Sequence, residues 1–321
     1  MTSSSSTADC RPLLKWAGGK RQLLPHIREY YPSSFSRYIE PFLGSGAVFF
    51  DLASLGHLDG RPANLSDCNR DLIGLYQAVR DQPDAVIQEL ETLATAHASQ
   101  PGFYYDVRDR RFNPARARGA ATDAPAMAAM LLYLNRTGFN GLYRVNSRGG
   151  FNVPEGRYAN PQICDPARIS AASAVLRRPD VTLTATTFDT ALGQAGEGDF
   201  VYCDPPYVPL SPTARFAQYT AGGFGESDQR RLQQAILAAS RRGAAVVVSN
   251  SSAPLVLELF SGPEGREAGL MLRRVPARRS INVNALARGP VDEVLVVSRG
   301  LSLRAVHSPR PATIRPVRQR A

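Results

Sequence analysis

The chain has 321 residues, of which 43% are hydrophobic, and it carries a formal net charge of +10. This size predicts one large domain or a domain with a sizeable insertion. The excess of Arg and Lys favours a negatively charged partner, first nucleic acid and second an acidic membrane. A basic surface that only faces solvent is the alternative. Four scattered cysteines without a C-x-x-C pair, and few histidines, argue against a disulfide framework and a structural zinc site.

The two ends of the chain have the composition of flexible tails. Residues 1–10 are rich in Ser and Thr and lack the basic and apolar regions of a secretory signal, while Pro and Arg dominate residues 301–321. No apolar run approaches the roughly 20 residues that a membrane-spanning helix needs. We therefore expect a cytoplasmic protein with a disordered first tail and a basic last tail, which either adds non-specific phosphate affinity or has no function.

Between the tails, short apolar runs alternate with helical patterns. Helical spacing of apolar residues occurs in 47–55 and 226–242. The runs that predict strands are YIEPF (38–42), ANLSD (63–67), DFVYCD (199–204), AAVVVSNS (244–251) and VDEVLVVS (291–298). Strands that alternate with helices predict an α/β fold with a mostly parallel, doubly wound sheet.

The middle of the chain interrupts this alternation. Residues 71–165 are rich in Arg, Asn and Gly and have a helical or irregular pattern, which predicts an inserted, mainly helical domain. The sheet domain is then discontinuous, with parts at 11–70 and 166–300. We expect the Ala/Arg-rich stretch 114–126 to be a loop.

A glycine-rich turn follows the first predicted strand. Gly44 and Gly46 stand between that strand and an apolar helix, where glycines let backbone approach a ligand and the helix N-terminus offers unpaired N–H groups. Asp67 lies 21 positions after Gly46, a spacing at which a carboxylate commonly bonds ribose hydroxyls. The full G-x-G-x-x-G pattern is absent, so the turn fits a smaller adenosine ligand better than a dinucleotide, and a plain tight turn is an equal alternative.

A second turn places Trp16 and two glycines between Lys15 and Lys20. A lone Trp belongs to the core more often than to a site. Lysines that flank a Gly-Gly turn can reach a carboxylate or a phosphate.

Six sequence blocks together resemble a known family. They are KWAGGK (15–20), EPFLGSG (40–46), LSDCNRDLIGLY (65–76), NRTGFNGLYRVNSRGGFNVPEGRY (135–158), DPPYVPLS (204–211) and RRSIN (278–282). In this order they resemble the Dam-type, D12 class DNA adenine-N6 methyltransferases, over about positions 13 to 298. Any one block is less specific, since DPPY alone is as often an ordinary turn after a strand.

The resemblance implies a Rossmann-like, mixed doubly wound sheet that binds S-adenosylmethionine over the carboxyl ends of its strands, without a metal. Lys20 would pair with the cofactor carboxylate, Asp67 would take the ribose hydroxyls, and Phe188 with Asp189 would lie near the adenine. The implied cofactor contacts are Trp16, Lys20, Phe42, Gly44, Gly46, Asp67, Asp189 and Asp204.

The DPPY block carries the chemistry that an exocyclic adenine amine requires. The lone pair of that amine is delocalised into the ring, so two fixed acceptors must hold its N–H groups. The Asp204 carboxylate and the Pro205 carbonyl can serve as the acceptors, and Pro206 stiffens the loop. Because the amine cannot be reached inside a duplex, the base must be flipped out, and Tyr207 offers a ring on which it can stack.

The resemblance implies that the inserted segment recognises the DNA sequence. Arg binds guanine at two atoms and Asn does the same for adenine, although any single Arg can instead bind phosphate without specificity. Phe139 occupies the position at which the family has an aromatic residue that inserts into the duplex. The positions that match the family's readers of GATC are Lys15, Asn140, Leu142, Arg144, Pro154 and Arg157.

The sequence thus predicts an enzyme that methylates adenine N6 in double-stranded DNA at GATC, acting as a DNA-associated monomer away from membranes. The same chemistry on another sequence or on cytosine N4 is the main alternative. A catalytically silent DNA-binding protein is disfavoured by the intact Asp204 and Tyr207, and a nicotinamide-dependent dehydrogenase by the missing glycine pattern. Restriction–modification, repair linked to DNA replication and regulation are all open as biological roles.

Overall fold

A seven-stranded sheet of order β3-β2-β1-β4-β5-β7-β6 forms the centre of the computed structural model. The structure describes residues 10–16, 20–119, 123–208, 223–278, 290–298 and 301. Residues 1–9 and 302–321 of the predicted tails, the end of the DPPYVPLS block and residues 279–282 of RRSIN therefore lie outside the described residues. The strands are β1 (Arg37–Glu40), β2 (Ala63–Asp67), β3 (Val181–Ala185), β4 (Asp199–Cys203), β5 (Ala245–Ser251), β6 (Leu270–Arg278) and β7 (Pro290–Ser298).

The sheet is mixed, as predicted. The pairs β1–β2, β1–β4, β2–β3 and β4–β5 are parallel, whereas β7 runs antiparallel to both β5 and β6. All five predicted strands are present, and β3 and β6 were not predicted. Residues of β3 alternate between buried and exposed at one edge of the sheet, and β6 forms the other edge with Arg273, Arg274 and Pro276, so neither has a continuous apolar run.

Helices cover both faces of the sheet. They are α1 (Leu24–Arg28), α2 (Ala47–Ser54), α3 (Arg70–Asp81), α4 (Pro83–Ser99), α5 (Phe103–Tyr105), α6 (Asn113–Arg118), α7 (Ala124–Thr137), α8 (Pro166–Leu176), α9 (Phe188–Gly193), α10 (Glu226–Arg241), α11 (Pro254–Ser261) and α12 (Pro263–Glu267). A π-helical segment (Asp106–Phe112) joins α5 to α6. Among the described residues, no helix is long and apolar enough to cross a membrane.

Consecutive residues of the central strand β4 enter two different cores. Phe200 and Tyr202 pack in a cluster with residues of α2, α3, α7 and α8, while Val201 and Cys203 pack with residues of α9, α10 and α11. All five residues of β4 are buried. A central strand that is buried on both faces reads as a continuous apolar run, which is why the sequence predicts it clearly.

Helices α3 to α7 lie between β2 and β3 in the chain, in agreement with the predicted helical content of this region. Its division from the sheet as a separate domain, at 71–165, remains a prediction. The predicted loop at 114–126 is wrong in part, because residues 113–118 form α6 and α7 begins at Ala124. Pro114 stands at the first turn of α6, where its missing N–H costs nothing, and Ala and Arg are good helix formers.

Candidate active site

The carboxyl ends of β1 and β4 meet where the strand order reverses. β1 pairs with β2 on one side and with β4 on the other, so the segments after these strands lie next to each other. One segment contains the turn Gly44–Gly46, and the other is residues 204–208, called here the proline loop. The sheet therefore brings two of the predicted motifs to one edge.

The glycine turn needs its glycines for conformation and for space. Gly44 has φ 48° and Gly46 has φ 66°, in the left-handed region that glycine adopts without strain. A Cβ atom on Gly44 would lie 3.0 Å from Nε1 of Trp16, which packs against the turn. The Gly44 N–H donates to Oδ2 of Asp67 at 3.1 Å, and the Asn69 N–H donates to its Oδ1 at 2.9 Å. Trp16 and Asp67 thus both contact the turn, and their binding of a cofactor there stays a prediction.

Aromatic rings lie beside the turn. Phe42 stacks on Phe188 with ring centres 5.5 Å apart and planes at 22°, and the ring of Phe224 meets both of them. Asp189 forms an ion pair with Arg231 of α10 at 2.5 Å. The structure therefore brings Phe188 against Phe42, whereas the carboxylate of Asp189 pairs with Arg231 of α10.

Asp204 at the start of the proline loop binds a buried cation. Nζ of Lys20 lies 2.8 Å from Oδ1 of Asp204 and 4.4 Å from the ring centre of Tyr207. Lys20 is 4% exposed, and the Asp204 side chain is 23% exposed. Ser249 of β5 donates a hydrogen bond to the same Oδ1 at 3.0 Å. Burial raises the pKa of Asp204, and the Lys20 charge with the Ser249 hydrogen bond opposes that rise.

Three carboxyl groups lie at this edge of the sheet. Burial raises the pKa of Glu40 well above its usual range, and the negative charges of Asp204 and Asp67 raise it further. Burial also raises the pKa of Asp67, against the hydrogen bonds that its carboxylate accepts from backbone N–H groups. The Tyr38 hydroxyl donates to Oε2 of Glu40 at 2.9 Å. Such an edge favours a ligand that carries positive charge.

Two buried amides hold the backbone of the proline loop. Nε2 of Gln229 donates to the Pro206 carbonyl at 2.8 Å, and Nδ2 of Asn250 donates to Oε1 of Gln229 at 3.2 Å. Oδ1 of Asn250 accepts from the Val208 N–H at 3.3 Å. Gln229 is 2% exposed and Asn250 is fully buried. Both buried amides therefore have hydrogen-bond partners, and together they hold the Pro206 carbonyl and the Val208 N–H in place.

The sequence reasoning missed these two residues. Polar residues at 249–251 in an otherwise apolar strand were a signal for Asn250, since an amide at the end of a buried run has to find partners. For Gln229, one of several polar residues in the first turns of α10, the sequence holds no comparable signal.

The backbone of residues 138–158, called here the arginine loop, is fixed by short contacts. The Phe139 N–H donates to the Pro154 carbonyl at 2.9 Å. The side-chain amide of buried Asn135 donates to the carbonyls of Lys15 and Gly141 at 2.7 and 2.8 Å, and its oxygen accepts from the Lys15 N–H. A Cβ atom on Gly141 would lie 2.4 Å from Cβ of Lys15. Lys15 is therefore joined to this loop although it is distant in sequence.

The side chains predicted to contact DNA are much less enclosed than this backbone. Phe139 is 48% exposed, and Nζ of Lys15 lies 4.3 Å from the ring centre of Tyr158. Arg144 donates from Nε and Nη2 to the side-chain and backbone oxygens of Asn152, at 2.8 and 3.1 Å. Leu142 is half-buried, and Asn140, Pro154 and Arg157 are exposed. The loop and Lys15 thus bring the predicted DNA-contacting residues together, and Tyr158, which was not predicted, lies against Lys15.

A stacked pair of rings links the arginine loop to the glycine turn. Tyr143 stacks on Trp16 with centres 6.0 Å apart and planes at 27°. The Tyr143 hydroxyl and Arg116 both donate to Oδ2 of Asp71, which lies in the first turn of α3. Tyr143, the residue next to Arg144, therefore contacts Trp16, which packs against the glycine turn.

Comparison with known proteins identifies the family of this chain. The sequence model of the D12 class N6 adenine-specific DNA methyltransferases matches residues 16–273. The chain belongs to this family. The resemblance seen in the sequence blocks is thereby confirmed, and the protein is a methyltransferase that acts on the N6 amine of adenine in DNA.

Individual relatives match the methyltransferase over nearly their whole length. The type II methyltransferase M1.LlaDCHI of Lactococcus lactis is 37% identical over 90% of this chain and 96% of its own length. The type II methyltransferase M.MjaIII of Methanocaldococcus jannaschii is 37% identical over 85% and 93%, respectively. The DNA adenine methylase of Escherichia coli K12 is 33% identical over 89% and 95%.

The methyltransferase shows, in the described part of its chain, no group of three His, Cys, Asp or Glu residues arranged to hold a metal ion.

Proposed function

We propose that the methyltransferase transfers a methyl group from S-adenosylmethionine to adenine N6 in double-stranded GATC sites, with the target base flipped out of the duplex. The observation that carries this proposal is the position of Asp204 and Tyr207 at the switch point of the sheet, directly beside the glycine turn. Family membership establishes that the methyl group is transferred to the N6 amine of adenine. The cofactor, the sequence and the roles of individual residues are argued from the site.

The donor groups at the sheet edge fit S-adenosylmethionine. The gap at Gly44, which a Cβ atom would fill against Trp16, admits a ligand next to backbone. Asp67 offers carboxylate oxygens for ribose hydroxyls, and the stacked Phe42 and Phe188 offer apolar faces for an adenine. When bound, the cofactor supplies a methyl group on a cationic sulfur, and the negative charges of Asp204 and Asp67, which raise the pKa of Glu40, make this edge favourable for positive charge.

Lys20 connects the cofactor side to the base side. Its ammonium group holds Oδ1 of Asp204 and covers the ring of Tyr207. We propose that Lys20 exchanges Asp204 for the carboxylate of the cofactor, since a carboxylate that enters the turn offers an equivalent charged partner. This exchange would free the Asp204 carboxylate and the face of the Tyr207 ring for the target base. The cofactor would therefore bind before the base enters the site.

Asp204 then holds the target amine. Among the described residues, the contacts of its carboxylate fall on Oδ1, and we assign Oδ2 and the Pro205 carbonyl as acceptors for the two amine N–H groups. Pro206 stiffens the loop and Tyr207 stacks on the base. The nitrogen–carbon bond would form as the methyl carbon–sulfur bond breaks and the sulfur leaves as a neutral thioether. Asp204 would stabilise the positive charge that develops on the amine and would accept its N–H proton. The pKa of Asp204, raised by burial, makes it a better proton acceptor than an exposed aspartate.

The arginine loop reads the sequence. Arg144 can exchange Asn152 for guanine O6 and N7, because the same guanidinium atoms serve both partners. We assign Leu142 and Pro154 to contact with a thymine methyl group, and Asn140, Lys15 and Arg157 to contacts with bases or phosphates. The exposed ring of Phe139 enters the stack that the adenine leaves. That several relatives are named DNA adenine methylase supports the proposal.

The enzyme is proposed to act as a monomer, because one chain supplies the glycine turn, the proline loop and the arginine loop. Its relatives include both type II methyltransferases and DNA adenine methylases, so restriction–modification and housekeeping methylation of replicated DNA are two uses of this chemistry.

The proposal is tested with labelled S-adenosylmethionine and short duplexes. We expect label in a duplex with one GATC site, recovered as N6-methyladenine by mass spectrometry, and none in the duplex already methylated on both GATC adenines. Equal label in a duplex of scrambled sequence would refute GATC specificity. Recovery of N4-methylcytosine, or methylation of adenine in a different sequence, would replace the target while leaving the cofactor assignment in place.

A further inference from the structure

The ring of Tyr207 is anchored at its far end by an acidic residue from the last strand. The Tyr207 hydroxyl donates a hydrogen bond to Oε2 of Glu293 at 2.7 Å. Glu293 is a partly buried residue of β7, where it pairs with Ser251 of β5 and Val275 of β6. The contact spans 86 positions of the chain, so it exists only because the sheet places β7 next to β5.

This contact fixes the orientation of the ring. Pro205 and Pro206 restrict the backbone that carries Tyr207, but they leave its side-chain torsions free. A hydrogen bond from the hydroxyl removes that freedom at the end of the ring farthest from the backbone. An ionised acceptor makes the bond roughly twice as strong as one between neutral groups.

The charge of Glu293 also acts on the two neighbouring groups of the proline loop. Burial raises the pKa of Tyr207 well above its usual range, and the negative charges of Asp204 and Glu293 raise it further, so the phenol keeps its proton and remains a donor. The charge of Glu293 contributes to the raised pKa of Asp204 as well, so Glu293 is close enough to both for its charge to matter.

We propose that Glu293 is a positioning residue for methyl transfer: through the Tyr207 hydroxyl it holds the aromatic ring at the place where the flipped adenine stacks beside Asp204. The inference rests on the proposed stacking role of Tyr207. It adds a residue from outside the six sequence blocks, and it assigns a purpose to the hydroxyl, which stacking alone does not need.

The neighbouring position on the strand provides a matched control. Asp292 is also acidic, but its Oδ2 lies 3.9 Å from Nη1 of Arg274 on β6 and it is half-exposed. Successive residues of a strand point to opposite faces, so Asp292→Ala removes a carboxylate from β7 without touching Tyr207.

The experiment is a double-mutant cycle of Glu293 with Tyr207, read as kcat and KM for methyl transfer to the GATC duplex. The variants are Glu293→Ala, Glu293→Gln, Tyr207→Phe, the Tyr207→Phe/Glu293→Ala double variant and Asp292→Ala. The midpoint of thermal unfolding and the Kd for S-adenosylmethionine are measured for each, so that a folding defect is recognised.

We expect Glu293→Ala to lower kcat about tenfold, the size expected for a lost hydrogen bond to a charged group, with the cofactor Kd unchanged. Glu293→Gln keeps an acceptor oxygen but loses the charge, so kcat should fall by less than in Glu293→Ala, about threefold. The double variant should be no slower than its slower parent, because both changes remove one bond. Asp292→Ala should match the wild type.

Three results would overturn the positioning role: kcat within about twofold of wild type in Glu293→Ala, equal losses in Glu293→Ala and Glu293→Gln, or a double variant that loses the product of the two single effects. Each of these is read against an active wild type. A wild type that transfers no methyl group to the GATC duplex would instead refute the proposed target, and the two failures are therefore distinguishable.

Discussion

The proline loop and the arginine loop differ in what the protein holds fixed. In the proline loop, buried groups hold side chains as well as backbone, through Lys20 and Ser249 on Asp204 and through Gln229 on Pro206. In the arginine loop, buried groups hold the backbone, while Phe139 and Arg157 project from it and are exposed.

This difference matches two physical requirements. Groups that stabilise charge in a transition state work best when they are already oriented and need not rearrange. Side chains that insert into a duplex or read base edges must move from their positions in the free protein to new partners. Changes in the proline loop should therefore alter the rate on every duplex, and changes in the arginine loop should alter the ratio between duplexes.

The largest effect should follow from loss of the Asp204 carboxylate. Asp204→Ala removes an acceptor for the amine and the partner of Lys20, and we expect kcat to fall by about 10²–10³-fold, as for other preorganised polar groups in active sites. Single-turnover methyl transfer measures the rate, and calorimetry measures cofactor binding, which should be partly retained. Near-normal turnover in this variant would contradict the role given to Asp204.

The next effect should come from Arg144 and should appear as lost discrimination. Arg144→Ala should relax the preference at one base pair by about 1–3 kcal/mol, because a bidentate contact is removed. The measurement is kcat/KM on duplexes that carry each single substitution in GATC. Arg148→Ala, an exposed arginine of the same loop, is the control. A uniform loss on all duplexes would make Arg144 a phosphate contact instead.

A smaller effect should follow from loosening the proline loop without touching its own residues. Gln229→Ala leaves the Pro206 carbonyl and the Asn250 amide without this partner, and should lower the free energy of unfolding by about 1–3 kcal/mol. We expect kcat to fall while discrimination between duplexes stays unchanged. Gln234→Ala, on the exposed side of α10, is the control for denaturant unfolding and for rate. A change in discrimination would show that the two loops are not separate.

The smallest effect should be a displacement of the pH profile. Asp204 acts as a carboxylate, so activity is present above its pKa and is lost as the pH falls through it. The Ser249 hydrogen bond lowers that pKa, and Ser249→Ala should therefore move the acidic limb of kcat/KM upward, by less than about one pH unit. Ser240→Ala, whose hydroxyl bonds Ala268, should leave the limb in place. A downward displacement would exclude Asp204 as the titrating group.

Local sequence was sufficient to predict elements whose pattern depends on neighbouring residues alone. The apolar run before Asp204 predicted β4 because this strand is buried on both faces, and the glycines predicted the turn because left-handed backbone requires them. The edge strands β3 and β6 escaped prediction because partial exposure and polar residues interrupt the apolar pattern.

The supporting residues could not be predicted because their partners are distant in the chain. Gln229 meets Pro206 across 23 positions, Asn250 meets Val208 across 42, and Glu293 meets Tyr207 across 86. The Asn250 contact depends on the pairing of β4 with β5, the Glu293 contact depends on β7 lying next to β5, and the Gln229 contact depends on where α10 packs. Sequence motifs thus indicated the groups proposed to react, whereas the fold was needed to show what orients them.

One measurement tests the separation of the two loops most directly: single-turnover rates, at saturating cofactor and DNA, for Asp204→Ala and Arg144→Ala on a panel of GATC duplexes with single substitutions. We predict that Asp204→Ala lowers all rates by one common factor, and that Arg144→Ala changes the ranking at a single base pair. A change of ranking in Asp204→Ala, together with a common factor in Arg144→Ala, would contradict the assignment of chemistry to the proline loop and of recognition to the arginine loop.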